Sequence, residues 1–286
     1  MNRFKLSIVL GLIIASNLLA TNVEKSLYII SDSIQTVDSI SVPYLSFNEE
    51  DVYSKESPII SINSGDTLKL WVYNLDSIIH NFAVLDFSDT FIIPAGDSVY
   101  LEQVFMDEGL YIYHDPLNYP KNTYLGLAGM IVVNDLDVQN FYWNIKEHNA
   151  QWNSDLVNNL AVDWENYDPK YFTINGNSNP HINADSLARI VGSVGDTLYL
   201  NIVNTGLSIH SIHLHGYHAE IMYSSAHSNH IGRSKDTFPI YPTETLVLKI
   251  EPHQPGEYPI HDHNLVAITG NNIYPNGMFS TILITP

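Results

Sequence analysis

Hydrophobic and polar residues alternate with a period of two over many short segments of the chain. Two examples are Asp-Thr-Leu-Lys-Leu-Trp-Val-Tyr, which starts at residue 66, and Asp-Thr-Leu-Tyr-Leu-Asn-Ile-Val, which starts at residue 196. This alternation is typical of half-buried β-strands. Glycine, proline, asparagine and aspartate separate the segments at short intervals, which favours antiparallel sandwiches. A helix is expected only over a short stretch around residues 154–160.

The strand segments occur in two similar halves. Three landmarks of the first half recur 130 positions later: Gly65, Asn74 and His80 match Gly195, Asn204 and His210. The stretch from residue 109 to 115 matches that from 256 to 262 at an offset of 147, and each is followed by Gly-Met and an apolar strand. Repetition at this scale predicts two tandem copies of one β-domain.

The repeat and the composition predict four segments. They are a leader at residues 1–20, a first β-domain at 21–134, a connector at 135–164 and a second β-domain at 165–286. The connector carries Trp143, Trp152 and Trp164, so we expect it to be packed rather than flexible, and we consider an edge strand at its start.

The first residues predict export. Arg3 and Lys5 precede an apolar run over residues 6–20, the pattern of a signal peptide cleaved near Ala20. A membrane anchor is disfavoured because the run is short for a span, and no later segment predicts one. The protein is therefore expected to be secreted or periplasmic. Its formal net charge of −19 disfavours nucleic acid and anionic membranes as partners.

Two histidine clusters carry the candidate chemistry. Each contains a His-x-His, His213 with His215 and His261 with His263, and a β-strand places both imidazoles of such a pair on one face. Imidazole is a good ligand for copper, zinc, iron and nickel. The sequence therefore predicts a metal site formed by four histidines on neighbouring strands.

The motifs around these histidines resemble those of the multicopper oxidase family. Residues 210–216, His-Ser-Ile-His-Leu-His-Gly, resemble the family's His-Pro-x-His-Leu-His-Gly. Residues 256–263, followed by Gly277-Met278, resemble its Gly-x-Tyr-x-x-His-Cys-His…Gly-Met. The resemblance implies an all-β fold of two tandem cupredoxin-like Greek-key β-sandwiches. With two such domains, the chain resembles two-domain laccases and copper nitrite reductases, which form homotrimers.

The resemblance also implies roles for individual residues. His213, His215, His261 and His263 take positions of the trinuclear, oxygen-reducing copper cluster. His210 and Met278 take a histidine-ligand position and an axial-ligand position of the type 1 copper that accepts electrons. In the first domain, His114 is a further candidate metal ligand that would complete the site across a domain interface, and His80 is a weaker candidate, as is His210.

The chain departs from the family pattern at several of these positions. Asp262 and Asp115 stand where the type 1 thiolate is expected, and the whole chain contains no cysteine. A carboxylate is a harder ligand than a thiolate, so blue-copper electron transfer is predicted to be absent. The internal repeat aligns His80 with His210 and leaves five of the eight cluster ligands. Alignment on the family's first-domain motif would instead make His80 a cluster ligand and leave six.

The two aspartates admit two further interpretations. Each could hold a neighbouring imidazole through a hydrogen bond, or cap a strand end by accepting backbone N–H groups. The same substitution in both repeats favours either of these over a ligand role.

The sequence thus predicts a secreted, copper-binding relative of multicopper oxidases, with zinc as the alternative metal. As an enzyme it would oxidise a small-molecule or metal-ion reductant and reduce dioxygen. The alternative function is a non-enzymatic copper carrier or buffer, or a cupredoxin scaffold used for binding. A mononuclear copper or zinc enzyme with an open coordination position is a third interpretation.

Overall fold

A computed structural model describes residues 20–134 and 138–286. The predicted leader, residues 1–20, lies outside the described residues except for Ala20. No helix among the described residues is both long and apolar enough to cross a membrane.

The first half of the described chain is a β-sandwich. Its strands are β1 Asn22–Gln35, β2 Ser41–Asn48, β3 Ile59–Ile62, β4 Thr67–Asn74, β5 His80–Val84, β6 Thr90–Ile93, β7 Ser98–Val104, β8 Gly109–His114 and β9 Ala128–Val133. A short helix, α1 (Lys121–Leu125), precedes β9. The strands form one sheet in the order β2-β1-β4-β7, here called sheet A, and one in the order β3-β9-β8-β5-β6, sheet B.

The second half forms another sandwich on the same plan. Its strands are β10 Gln139–His148, β11 Tyr171–Ile174, β12 Val191–Ser193, β13 Leu198–Asn204, β14 His210–Leu214, β15 Ala219–Ser224, β16 Ser234–Lys235, β17 Thr237–Ile240, β18 Thr245–Ile250, β19 Gly256–Asp262 and β20 Phe279–Thr285. They form sheet C, in the order β11-β10-β13-β18-β15-β16, and sheet D, in the order β12-β20-β19-β14-β17.

The central strands of the two sandwiches repeat each other, and sheet C has two more strands than sheet A. β4 pairs in parallel with β1 and antiparallel with β7, and β13 pairs in the same way with β10 and β18. In sheet B, Ala83 of β5 lies opposite His114 of β8; in sheet D, His213 of β14 lies opposite His261 of β19. This register confirms the internal repeat, and with it the alignment of His80 with His210. The all-β fold of two tandem cupredoxin-like sandwiches is confirmed.

The predicted connector differs in detail from the expectation. Its first part is β10, which lies between β11 and β13 inside sheet C rather than at an edge. The reason is burial: Phe141, Trp143 and Ile145 alternate into the second core. Its second part is α2 (Ala150–Val157), which packs against β2, while Trp152 and Trp164 cover the first core. The expected short helix is therefore present, a few residues earlier than predicted.

Sheet B packs on sheet C and joins the two sandwiches. Leu110, Ile112, Met130 and Val132 of sheet B form one buried cluster with Val203 of sheet C. The hydroxyl of Thr245 donates to the carbonyl of Leu110 at 2.9 Å in the same layer. The outer faces of sheets A and D do not take part in this layer.

Candidate metal centre

Four imidazoles gather on the outer face of sheet D. In β14 the residues alternate between the core and the outer face, so His213 points outward and His210 inward. His261 is the cross-strand partner of His213 on β19, and His215 and His263 follow directly after the two strands. The ring centroid of His213 lies 4.7 Å from that of His215, 5.6 Å from that of His261 and 5.2 Å from that of His263. The four histidines that the sequence predicted as metal ligands are thus brought together.

Backbone carbonyls fix the protonation pattern of two of these rings. Nδ1 of His261 lies 2.8 Å from the carbonyl oxygen of Asp262, and Nδ1 of His213 lies 3.1 Å from that of Asp236. A carbonyl can only accept, so each Nδ1 carries the proton and each Nε2 keeps its lone pair when the ring is neutral. This arrangement is the one that orients a histidine to bind a metal through Nε2.

The remaining ring, His215, is held next to His261. The two Nε2 atoms lie 3.0 Å apart, at the distance of a hydrogen bond that His215 donates. Partial burial lowers the pKa of His215, and the neighbouring imidazoles lower it further, so the ring is held in its neutral form.

Four imidazoles form a donor set that fits copper or zinc. As the side chains stand, no group of three or more His, Asp or Glu residues in the described chain is arranged to hold a metal ion. In this arrangement Nε2 of His215 and Nε2 of His261 face each other. A rotation of His215 would free both nitrogens.

The opposite face of the same strands holds a buried ion-pair network. Nδ1 of His210 lies 2.5 Å from Oδ2 of Asp262, and its Nε2 lies 3.1 Å from Oε2 of Glu147 on β10. Burial lowers the pKa of His210, but the hydrogen bonds to Asp262 and Glu147 outweigh it and raise the pKa to about 9. Burial would raise the pKa of Glu147, whereas its bonds to His210 and to the backbone N–H of Leu207 lower it to about 2. His210 is therefore an imidazolium between two carboxylates.

The first sandwich repeats this arrangement around His80. Its Nδ1 lies 2.8 Å from Oδ2 of Asp115, and its Nε2 lies 2.9 Å from Oδ2 of Asp76. Burial lowers the pKa of His80, and its hydrogen bonds to Asp115 and Asp76 raise it by more, so the net shift is upward. Both ring nitrogens of His80 and of His210 are engaged by carboxylates, which leaves neither ring a lone pair to offer a metal.

Asp262 and Asp115 combine both interpretations that the sequence left open. Oδ1 of Asp262 accepts from the backbone N–H groups of Ser211 and Asn264, at 3.1 and 2.8 Å. Oδ1 of Asp115 accepts from those of Asn81 and Leu117, at 3.1 and 2.8 Å. Each aspartate therefore pairs with an imidazole and also caps the strand end, and both side chains are fully buried.

The second carboxylate beside each histidine comes from a different part of the fold: Asp76 for His80, and Glu147 for His210. Asp76 precedes His80 by four residues, and the equivalent position in the second repeat is Gly206. A Cβ atom on Gly206 would lie 2.0 Å from Oε2 of Glu147. The glycine thus leaves the space that the Glu147 carboxylate fills. Sequence reasoning missed Asp76 and Glu147; the exchange of Asp76 for glycine in the second repeat was the available signal.

Met278 and His114 lie away from the four-histidine cluster. Met278 is fully buried in the hydrophobic core of the second sandwich, and its carbonyl accepts from the N–H of Asp262 at 3.2 Å. His114 ends β8 on sheet B, where it lines a cavity of about 330 Å³ between the sandwiches. Thr205 lines the same cavity from the second sandwich. The structure therefore places His114 on a different sheet from the four clustered histidines of the same chain.

Comparisons with known proteins place this geometry in context. Residues 151–278 match the family model described as multicopper oxidase. No curated protein sequence matches the chain.

Solved structures cover most of the chain at low identity. The blue copper oxidase from Nitrosomonas europaea is 20% identical over 92% of this chain and 86% of its own, with a TM-score of 0.77. The Cu-containing nitrite reductase from Thermus scotoductus SA-01 is 18% identical over 93% of this chain and 62% of its own, with a TM-score of 0.74. The copper nitrite reductase from Nitrosomonas europaea is 16% identical over 92% of this chain and 94% of its own, with a TM-score of 0.73.

Residues 151–278, which contain all four clustered histidines, therefore match the multicopper oxidase family, and the chain as a whole has the fold that multicopper oxidases share with copper nitrite reductases.

Proposed function

We propose that this protein binds copper at His213, His215, His261 and His263 and acts as an oxidoreductase without a type 1 copper centre. The observation that carries the proposal is the pattern of hydrogen bonds in the cluster, in which backbone carbonyls accept from Nδ1 of His213 and His261, so that Nε2 is the nitrogen of each ring that could bind a metal. Zinc is the alternative metal, because imidazole binds both.

Bound copper would supply electron transfer and a binding position for dioxygen, or for nitrite as in the two nitrite reductases that share this fold. The chain's own residues orient the ligands through hydrogen bonds to Nδ1 of His213 and His261. His215 and His263 are exposed at the outer face of sheet D, so a small reductant can reach the cluster directly. Direct access is needed, because ion pairs fill both positions at which the family holds its electron-accepting copper.

The same ion pairs favour a second candidate function, a copper carrier or buffer. An imidazolium held between carboxylates cannot pass electrons inward from a surface donor. A protein of this kind would load copper at the four histidines and release it without turnover.

Metal analysis with matched variants tests the site. The wild-type protein, purified and then loaded with copper, is expected to retain the metal and to give an electron paramagnetic resonance signal of type 2 copper without blue colour. His261→Ala should lose most of the copper, because it removes one ligand and the partner of His215. His227→Ala, on another surface of the second sandwich, is the control and should retain it.

Asp262→Asn distinguishes a ligand from a positioning residue. Its carboxylate faces His210, whereas its carbonyl faces His261, so we expect copper content to stay at the wild-type level while the melting temperature falls. Loss of copper equal to that in His261→Ala would contradict the assignment of ligands.

An activity assay of the copper-loaded protein distinguishes the two functions. Consumption of dioxygen or nitrite with phenolic or metal-ion reductants supports the oxidoreductase, and retention of copper without turnover supports the carrier.

Export and assembly complete the proposal. The leader supports secretion or periplasmic location, and the exposed face of the cluster leaves room for a ligand from a neighbouring copy in a homotrimer. Sequencing the N-terminus of the exported protein and measuring its mass by light scattering test the two points.

A further inference from the structure

An exposed row of aromatic rings crosses the outer face of sheet A. In β4 the buried residues Leu68, Leu70 and Val72 alternate with outward residues, among them Trp71 and Tyr73. Tyr28 of β1 lies opposite Tyr73, and Tyr100 of β7 lies opposite Trp71. The ring of Tyr73 stacks on that of Tyr28 at 4.8 Å and on that of Trp71 at 6.0 Å, and Tyr100 lies 5.1 Å from Trp71. Outward strand positions are ordinarily polar, so four adjacent rings indicate a contact surface.

A basin lies beside the indole of Trp71. It encloses about 640 Å³ and is lined by Ser26, Lys69, Trp71 and Tyr100, with Glu24 and Glu50 among its remaining residues. Tyr73 and Lys69 flank Trp71 on the strand, and Lys69 but not Tyr73 lines the basin. The basin therefore lies against the indole face that Tyr73 leaves open. Ser26, the cross-strand partner of Trp71, is small and provides its floor.

Trp71 is prominent in this surface. It is 43% exposed, whereas Trp143 is fully buried and Trp152 and Trp164 pack against the first core. An exposed indole offers a large, flat, electron-rich face, to which polarised C–H groups are attracted. Tryptophan is also one of the residue types enriched at the positions that contribute most to the free energy of binding at a contact surface.

Charged groups of both signs surround this indole. Three carboxylates, those of Glu24, Glu49 and Glu50, and two ammonium groups, those of Lys25 and Lys69, line the basin. Lys25 already pairs with Glu49 at 3.7 Å. The three carboxylates and two ammonium groups leave a net charge of −1, which disfavours polyanions, and they provide acceptors and donors for hydroxyl groups. A pyranose matches this pattern, since it has an apolar C–H face bordered by hydroxyls.

We propose that the basin on sheet A binds a neutral, pyranose-containing glycan that stacks on Trp71. The carboxylates and Lys69 bond to its hydroxyls. This site lies on a different sandwich from the four-histidine cluster and does not depend on bound metal.

Binding to an array of immobilised neutral oligosaccharides tests the proposal, with the full-length protein prepared without metal. The wild type is expected to bind at least one pyranose oligosaccharide, and binding of that oligosaccharide in solution should change the tryptophan fluorescence. Trp71→Ala should weaken binding roughly tenfold or more, because it removes the stacking face. Trp71→Phe, which keeps an aromatic face, should retain part of the affinity.

Tyr241→Ala is the matched control, because Tyr241 is 44% exposed on the second sandwich and should not affect glycan binding. Circular dichroism of each variant establishes that it is folded. Absence of binding by the wild type across the array would overturn the proposal, as would equal binding by Trp71→Ala. Concentration-dependent self-association that Trp71→Ala abolishes would also overturn it, since a second copy would then cover the row.

Discussion

The imidazole of His210 has a buried carboxylate on each side, and this local arrangement determines its charge. Burial of a lone imidazolium is unfavourable, but Asp262 and Glu147 provide two charge-assisted hydrogen bonds that stabilise it. Glu147 in turn accepts from the backbone N–H groups of Leu207 and Ser208, at 2.6 and 2.7 Å. His210 is therefore the centre of a compensated, buried ion-pair network.

Replacement of Glu147 by glutamine is expected to lower the free energy of unfolding by about 3 kcal/mol, since it removes one partner of a buried charge.

The free energy of unfolding should depend on pH with a sign that follows from the two shifted pKa values. The raised pKa of His210 stabilises the fold fully below pH 6.5, and this stabilisation is lost as the pH rises to about 9. The lowered pKa of Glu147 stabilises the fold above pH 4.5, and this part is lost as the pH falls to about 2. Denaturant unfolding across this pH range measures both effects, the loss of stability at alkaline pH (the basic limb) and the loss at acidic pH (the acidic limb).

The Glu147→Gln variant should lose the acidic limb that Glu147 contributes. Glu257→Gln is the control, because it breaks an exposed pair with Arg189 and should change stability by less than about 1 kcal/mol. Equal effects of the two substitutions would show that the buried network does not stabilise the protein.

At the scale of elements, β10 and the loop after β13 fit each other. Glu147 lies near the end of β10, a central strand of sheet C, and its carboxylate contacts the turn after β13 that contains Gly206. The turn has no side chain at position 206, which gives the carboxylate its space. The first sandwich achieves the same charge pattern within one loop, through Asp76.

Gly206→Ala is therefore expected to destabilise the fold, since its Cβ would lie 2.0 Å from Oε2 of Glu147. The cost should largely disappear in the Glu147→Ala background, where the carboxylate is absent. A double-mutant cycle in denaturant should give a coupling free energy of about 1–3 kcal/mol. Additive effects of the two substitutions would contradict the proposed fit.

At the scale of the whole molecule, the layer between sheets B and C makes the sandwiches one unit. Ile112 is 4% exposed within this layer and is surrounded by residues of both sandwiches. The buried bond from Thr245 to the carbonyl of Leu110 adds a polar link. The expected behaviour is cooperative unfolding of both sandwiches together.

Ile112→Ala should lower the free energy of unfolding by about 2–5 kcal/mol, because it leaves a cavity in this layer. It should also broaden or split the thermal transition, as the two sandwiches become less strongly coupled. Differential scanning calorimetry measures both effects. Ile92→Ala, at a position 63% exposed on β6, is the matched control and should leave the transition unchanged; an equally sharp single transition in Ile112→Ala would contradict the proposed coupling.

The sequence by itself determined the strands, the repeat and the four-histidine face, because these follow from period-two alternation and from motifs within single strands. It also determined that His210 and Asp262 leave that face. Only the tertiary structure decided what His210 and His80 contact, since Glu147 reaches His210 across 63 residues of chain. The same is true of His114, whose place beside the cavity between the sandwiches depends on how the two sandwiches pack. Alternation along a strand fixes which face a side chain takes, but packing between distant strands fixes its partners.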